Sequence, residues 1–206
     1  MMNSEEVISQ LCDVIGTDSV ITDNKEREYF SMDVFDTDEV ADLVIQPSSK
    51  DQISDALRIL SKSDYEIIPR GGGMSYTGGY TPSTKRSAII DTSLLNQIIE
   101  INPDDMYITV EAGCTWKKIY EALKPMGLRL PFFGTNSGSM ATVGGGLSNG
   151  ALFFGTGKYG SAADNVLGME IIIADGTLIK TGPECICRCK TSSQNIWTRY
   201  DRFVLS

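Results

Sequence analysis

Pro69-Arg70-Gly71-Gly72-Gly73-Met74-Ser75 follows directly on the apolar run Ile67-Ile68. Three consecutive glycines carry no Cβ, so neighbouring backbone N–H groups can turn towards one point and form a concavity suited to phosphate or pyrophosphate. The Ser75 hydroxyl adds a further donor. A second glycine-dense run, Thr142-Val143-Gly144-Gly145-Gly146-Leu147-Ser148-Asn149-Gly150, lies further along the chain. The first run alone is equally well read as a turn forced by tight packing. Two of them, separated by strands and a helix, point to a large ligand held from two sides. Other nucleotide signatures fail. Gly71 and Gly73 lack a glycine three residues later, so the Rossmann fingerprint is not met. Gly155-Thr156-Gly157-Lys158-Tyr159 has no Ser/Thr after the lysine, as a P-loop requires.

The elements around these runs are legible from periodicity. Val7, Ile8, Leu11 and Ile15 predict a helix over 4–15, capped at Asn3 or Ser4. Asp33 to Glu39 reads as a connection. Leu43-Val44-Ile45 predicts a strand, Ser49 caps a helix bearing Ile53, Ala56, Leu57 and Leu60, and Glu66-Ile67-Ile68 predicts the strand that feeds the first glycine run. Strands are expected at 88–91, 98–101 and 107–111, the last two joined by Asn102-Pro103-Asp104-Asp105. A helix from Thr115 to Leu123 is expected to bury Trp116, Ile119, Tyr120 and Leu123. Residues 131–157, rich in glycine, read as a functional loop. Asp175-Gly176 predicts a hairpin between strands at 168–174 and 177–181.

Composition narrows the class. The chain has 206 residues, 41% hydrophobic and 22% charged, as soluble globular proteins do. The net charge of −9 argues against a nucleic-acid partner, which needs a basic stripe. Local backbone dipoles can still hold a phosphate, because distributed surface charge is screened beyond about 8 Å. No apolar run approaches the roughly 20 residues of a membrane span, and no secretory signal is recognisable. Five cysteines in no framework spacing favour a reducing cytoplasm. No metal site is expected, since the alternation Cys185, Cys187, Cys189 is not zinc-knuckle spacing.

The order Ile67-Ile68-Pro69-Arg70-Gly71-Gly72-Gly73, Ile89-Ile90-Asp91, Val110-Glu111-Ala112-Gly113, Ala141-Thr142-Val143-Gly144-Gly145, Lys158-Tyr159-Gly160, Val166-Leu167-Gly168-Met169-Glu170 and Ala174-Asp175-Gly176 resembles the FAD-binding domain of the vanillyl-alcohol oxidase and p-cresol methylhydroxylase type. Glycolate oxidase and D-lactate dehydrogenase-like flavoproteins are the nearest subgroup. The resemblance implies an α+β fold of two α/β subdomains, about 40–112 and 113–182, preceded by a helical segment over 1–39. It implies FAD as cofactor. Pro69, Arg70, Gly71, Gly72, Gly73, Met74 and Ser75 would lie at the pyrophosphate, mainly through backbone N–H groups. Thr142, Gly144, Gly145, Gly146, Ser148 and Asn149 would cover its other face and the ribose, with Gly134 and Thr135 approaching ahead of them. Lys158, Tyr159 and Gly160 would lie beside the isoalloxazine, and Val166 at the adenine end. Lys158 as a surface lysine and Tyr159 as a core aromatic remain equal alternatives.

Met74 stands where some relatives carry a histidine bonded covalently to flavin. This chain has no histidine, so the FAD is expected to be non-covalent. Cys114 reads as a small buried residue rather than a flavin-linking nucleophile. The usual imidazole base is missing too, and no catalytic residue is assigned. The chain is expected to be truncated ahead of a substrate domain and inactive alone. It could also work with a separate substrate-domain or electron-transfer polypeptide, or serve as a non-catalytic flavin module.

Residues 183–206 break the pattern. They hold four Lys/Arg and two Asp/Glu against 14 and 25 before them, so the balance changes from −11 to +2. One nucleotide later, the codons for 196–203 can encode a family-like Tyr-Gly-Pro-Asp stretch. The tail is therefore expected to be out of frame and unpacked, the alternative being a divergent tail.

Overall fold

The computed structural model describes residues 2–34, 39–131 and 137–182, together with the backbone of 202–205. The chain divides into two compact units, residues 1–95 with 172–178, and residues 96–171 with 179–206.

In the first unit, α1 (Ser4–Ile15) starts at a capping box. The Asn3 side chain accepts from the Glu6 N–H at 2.8 Å, and the Glu6 carboxylate accepts from the Asn3 N–H at 3.2 Å. After the short strand β1 (Val20–Ile21) comes α2 (Asn24–Ser31), which periodicity does not reveal; Asp23 caps it by accepting from the Lys25 and Glu26 N–H groups. β2 (Leu43–Ile45), α3 (Lys50–Leu60), β3 (Glu66–Arg70) and β4 (Ser87–Asp91) follow. The sheet order is β1-β2-β4-β3; β1 is antiparallel to β2, and β2, β4 and β3 run parallel. Every residue of β2 and β4 is buried, as central parallel strands require. β3 is the edge strand, where Pro69 costs no ladder bond.

Val7, Leu11 and Ile15 of α1 join Ala56, Leu57 and Leu60 of α3 over one face of this sheet. Fully burying each large aliphatic side chain contributes about 1.5–3 kcal/mol. Val44, Ile68, Ile89, Ala41 and Tyr80 form a smaller cluster. The tip 172–178 closes on α3, where the Gly176 carbonyl accepts from the Ser54 hydroxyl and from Arg58 Nη2, the latter at 3.2 Å.

The second unit holds β5 (Ile98–Asn102), β6 (Tyr107–Val110), α4 (Trp116–Leu123), α5 (Val143–Ser148), α6 (Thr156–Tyr159), β7 (Val166–Ile172), β8 (Leu178–Thr181) and β9 (Arg202–Leu205). The sheet order is β5-β6-β9-β7-β8, with β5 antiparallel to β6 and β9 parallel to both β6 and β7. Three expectations change. β5 and β6, assigned to the first subdomain, belong to this second sheet, because β5 pairs with β6 and β6 pairs with β9. Tyr120 is 43% exposed, while Trp116, Ile119 and Leu123 form the buried face of α4; Lys124 Nζ lies 5.7 Å from the Tyr120 ring. The tail, expected to be unpacked, contributes the backbone of β9 to the sheet; residues 183–201 and 206 lie outside the described residues.

Candidate functional site

The first glycine run leaves β3 at Arg70. Its carbonyl accepts from the Thr92 N–H at 2.9 Å, which fixes the point where the chain departs from the sheet. Beyond it, among the described residues, the backbone N–H groups of Gly71, Gly72, Gly73 and Met74 donate to no protein acceptor. All four residues are half-buried. Successive unengaged donors on a glycine turn are what an anion needs.

Two contacts fix the turn. The buried Tyr80 hydroxyl donates to the Gly73 carbonyl at 2.8 Å, and burial holds its phenol above the ordinary range, so it stays a donor. Gly73 has φ +64°, and a Cβ there would overlap the Arg70 guanidinium, with Cζ 2.7 Å away. Arg70 does not point outward. It folds beneath the loop and is 8% exposed; Nη1 lies 3.5 Å from Asp91 Oδ1, and Nε is buried without a hydrogen-bond partner. The Ser75 hydroxyl pairs with Thr77 Oγ1 at 2.9 Å, and the Ser75 carbonyl accepts from Val34 N–H.

The second run is different in kind. Read as a loop, it is the helix α5, capped by the Thr142 hydroxyl at Gly145 N–H. Its donors are spent within its own unit: Val143 N–H to Cys114 O, Gly144 N–H to Ala112 O at 2.8 Å, and Gly146 N–H to Thr142 O at 3.0 Å. The glycines are required by close approach. A Cβ on Gly144 would stand 2.9 Å from the Ala112 carbonyl, and one on Gly146 3.1 Å from Trp116 and 3.2 Å from Phe153. Trp116 and Phe153 meet edge to face at 4.9 Å. Gly145, Ser148 and Asn149 are exposed. Cys114 is a free, buried thiol that burial pushes up to about 11, too high for a nucleophile at neutral pH.

Lys158 and Tyr159 end α6. Lys158 Nζ lies 5.0 Å from the Tyr159 ring and holds that phenol below its ordinary value. Lys158 is exposed and Tyr159 half-buried, so neither is a core residue. Gly160 follows with φ +81°. Asn165, not singled out from sequence, is buried and donates to the Tyr159 and Ser161 carbonyls at 3.1 and 2.9 Å, fixing this turn ahead of Val166. A buried amide beside a glycine turn was the available signal. Gly134 and Thr135 lie outside the described residues. Among the described residues, no His/Cys/Asp/Glu group could hold a metal, and no helix is long and apolar enough to cross a membrane.

An unengaged row of N–H donors over a buried guanidinium fits a dinucleotide pyrophosphate. Comparison with known proteins agrees. Glycolate oxidase subunit GlcD of Bacillus subtilis (strain 168) is 32% identical over 88% of this chain and 38% of its own length. The mitochondrial D-lactate dehydrogenase [cytochrome] of Kluyveromyces lactis is 30% identical over 74% of this chain and 26% of its own. The chain thus spans well under half the length of these relatives. Crystalline p-cresol methylhydroxylase with substrate bound shares the fold, with a TM-score of 0.77 at 19% identity, covering 97% of this chain and 38% of that one. A family model described as an FAD binding domain matches residues 41–182, so the chain belongs to the FAD-binding domains of p-cresol methylhydroxylase type, and FAD is its cofactor.

Proposed function

We propose that the whole protein oxidises a 2-hydroxy acid, and that this chain supplies the flavin-binding part while the substrate is held elsewhere. The observation that carries the cofactor assignment is the row of unengaged N–H groups from Gly71 to Met74 above buried Arg70. These donors take the pyrophosphate, with the Ser75 hydroxyl beside them. Bound FAD supplies two-electron redox chemistry at its isoalloxazine. The chain's own residues bind and orient. The exposed surface of α5 at Gly145, Ser148 and Asn149 offers van der Waals and side-chain contacts rather than backbone donors. Lys158, Tyr159 and Gly160 flank the ring, and the Val166 backbone meets the adenine end. With no histidine in the chain, the flavin is held without a histidyl bond.

The named relatives act on glycolate and D-lactate, which supports the substrate class. The partial span favours a second polypeptide or a further domain carrying the substrate pocket. The cytoplasm is the proposed compartment. The test is an absorption spectrum of the purified chain before and after acid precipitation. Flavin bands that pass wholly to the supernatant are expected; a protein without flavin, or a yellow pellet, overturns the assignment. The isolated chain is expected not to reduce an artificial acceptor with D-lactate or glycolate, and turnover would overturn its dependence on another part. A bound flavin that dithionite cannot reduce would favour a non-catalytic module.

A further inference from the structure

The family match begins at residue 41, yet the first glycine run is braced by residues ahead of it. The Arg70 guanidinium lies among three rings, with Cζ 5.6 Å from the centroid of Tyr29, 5.0 Å from Phe30 and 5.5 Å from Tyr80. Tyr29 and Phe30 belong to the last turn of α2 and meet each other edge to face at 5.3 Å. Directly after α2, Asp33 accepts from the Gly78 N–H at 3.1 Å and Val34 N–H donates to the Ser75 carbonyl at 3.5 Å. α2 is itself pinned to the segment that leads into β2, since Arg27 Nη1 donates to the Ala41 carbonyl at 2.6 Å and Ser31 Oγ accepts from Ala41 N–H at 2.9 Å.

Arg70 is thereby fixed on every side. Asp91, its register partner across β3 and β4, is 1% exposed, and its second oxygen accepts from Gln46 Nε2 at 2.8 Å and from Ser93 Oγ. A buried pair at 3.5 Å adds little net stability after desolvation. Rings facing a guanidinium do hold it in place. The side chain so held fills the space under Gly73 that a Cβ would need, and Tyr80 both faces the guanidinium and holds the Gly73 carbonyl.

We propose that Arg70 is a positioning residue for the phosphate-binding turn, and that α2, through Tyr29 and Phe30, sets Arg70 in place, so that residues 29–34 form part of the cofactor site. The cage presets the turn with its N–H groups unengaged, and the guanidinium lies against Gly73 of that turn. This inference rests on the pyrophosphate reading of the glycine run.

The test is titration of apo-protein with FAD and with ADP, which keeps the adenosine and the two phosphates without the isoalloxazine, alongside thermal melting of each apo-variant. Arg70→Met/Asp91→Asn removes both charges together and is expected to weaken FAD and ADP about tenfold or more. Leu57→Ala, in the α3 core, is the control that lowers melting temperature without moving the dissociation constant of the folded fraction. An Arg70→Met/Asp91→Asn protein that melts lower but binds both ligands as Leu57→Ala does overturns the proposal. If the double variant fails to fold, Tyr29→Ala decides: the ring is 55% exposed, so the fold survives its loss. Its removal should weaken both ligands about two- to fivefold, with Tyr29→Phe restoring affinity. Unchanged binding by Tyr29→Ala overturns the role of α2. Gly72→Val separates the two readings. If it retains FAD, the pyrophosphate assignment itself falls; if it loses FAD while the Arg70 and Tyr29 variants keep it, only the present inference falls.

Discussion

The two glycine runs have nearly the same composition and opposite physical reasons for it. At Gly71–Gly73 the N–H groups have no protein acceptor, and the side chain packed against the turn is a charged one. At Gly144–Gly146 the N–H groups are consumed locally and the missing Cβ atoms make room for Ala112, Trp116 and Phe153. Glycine density therefore marks two different needs, an open concavity and a flush helix face. Counting glycines cannot separate them. The hydrogen-bond partners of the intervening amides can.

Substitutions should separate the two needs. Gly72→Val places branched methyls over the unengaged donors, and FAD affinity should fall about a hundredfold, some 2.8 kcal/mol, with the apo melting temperature little changed; full occupancy after purification would break the contrast. Gly144→Val should do the reverse. Its side chain would meet the Ala112 backbone, costing about 1–3 kcal/mol of stability, visible as a lower apo melting temperature. A variant as stable as the parent would mean that α5 is not packed as described.

A chain ending at Gly182 loses β9 and leaves β6 and β7 without their shared partner. Its melting temperature is expected to drop by several degrees, as about 1 kcal/mol or more would require, and an unchanged melt would return the tail to the unpacked state first expected of it. The smallest effect is at Cys114. Its thiol should resist iodoacetamide at pH 8 while Cys12 reacts, and its folded pKa of about 11 lies above the ordinary 9.0. Its contribution to stability is accordingly full below pH 9 and is lost as the pH rises towards 11. Rapid alkylation of Cys114 in the native protein would show that the floor under α5 is open.

Much of the scaffold was legible. Val7, Leu11 and Ile15 gave α1, the uninterrupted apolar runs gave β2 and β4, and Asp175-Gly176 gave the hairpin. The misses have physical causes. α2 is Asn-Lys-Glu-Arg-Glu-Tyr-Phe-Ser, with one buried residue, so no apolar stripe announces it; its cap at Asp23 was the only local sign. α5 carries three glycines, each costing a helix about 1 kcal/mol relative to alanine, and only packing on Trp116 and Phe153 reverses that preference. The site divides in the same way. Motif order located the first run and FAD. It could not show that Arg70 turns inward, since that depends on Tyr29, Phe30, Tyr80 and Asp91 converging from three separate segments.

The Gly176 carbonyl that accepts from Ser54 has a consequence for the order of events in synthesis. The two residues are 122 positions apart, although both belong to the first unit. As the chain leaves the ribosome, α3 emerges early but its acceptor arrives only after most of the second unit, residues 96–171. Contacts of such high sequence separation form late and slow folding, because loop closure must come before they reward it. The unit that carries the phosphate-binding turn therefore cannot finish folding first, even though it is translated first.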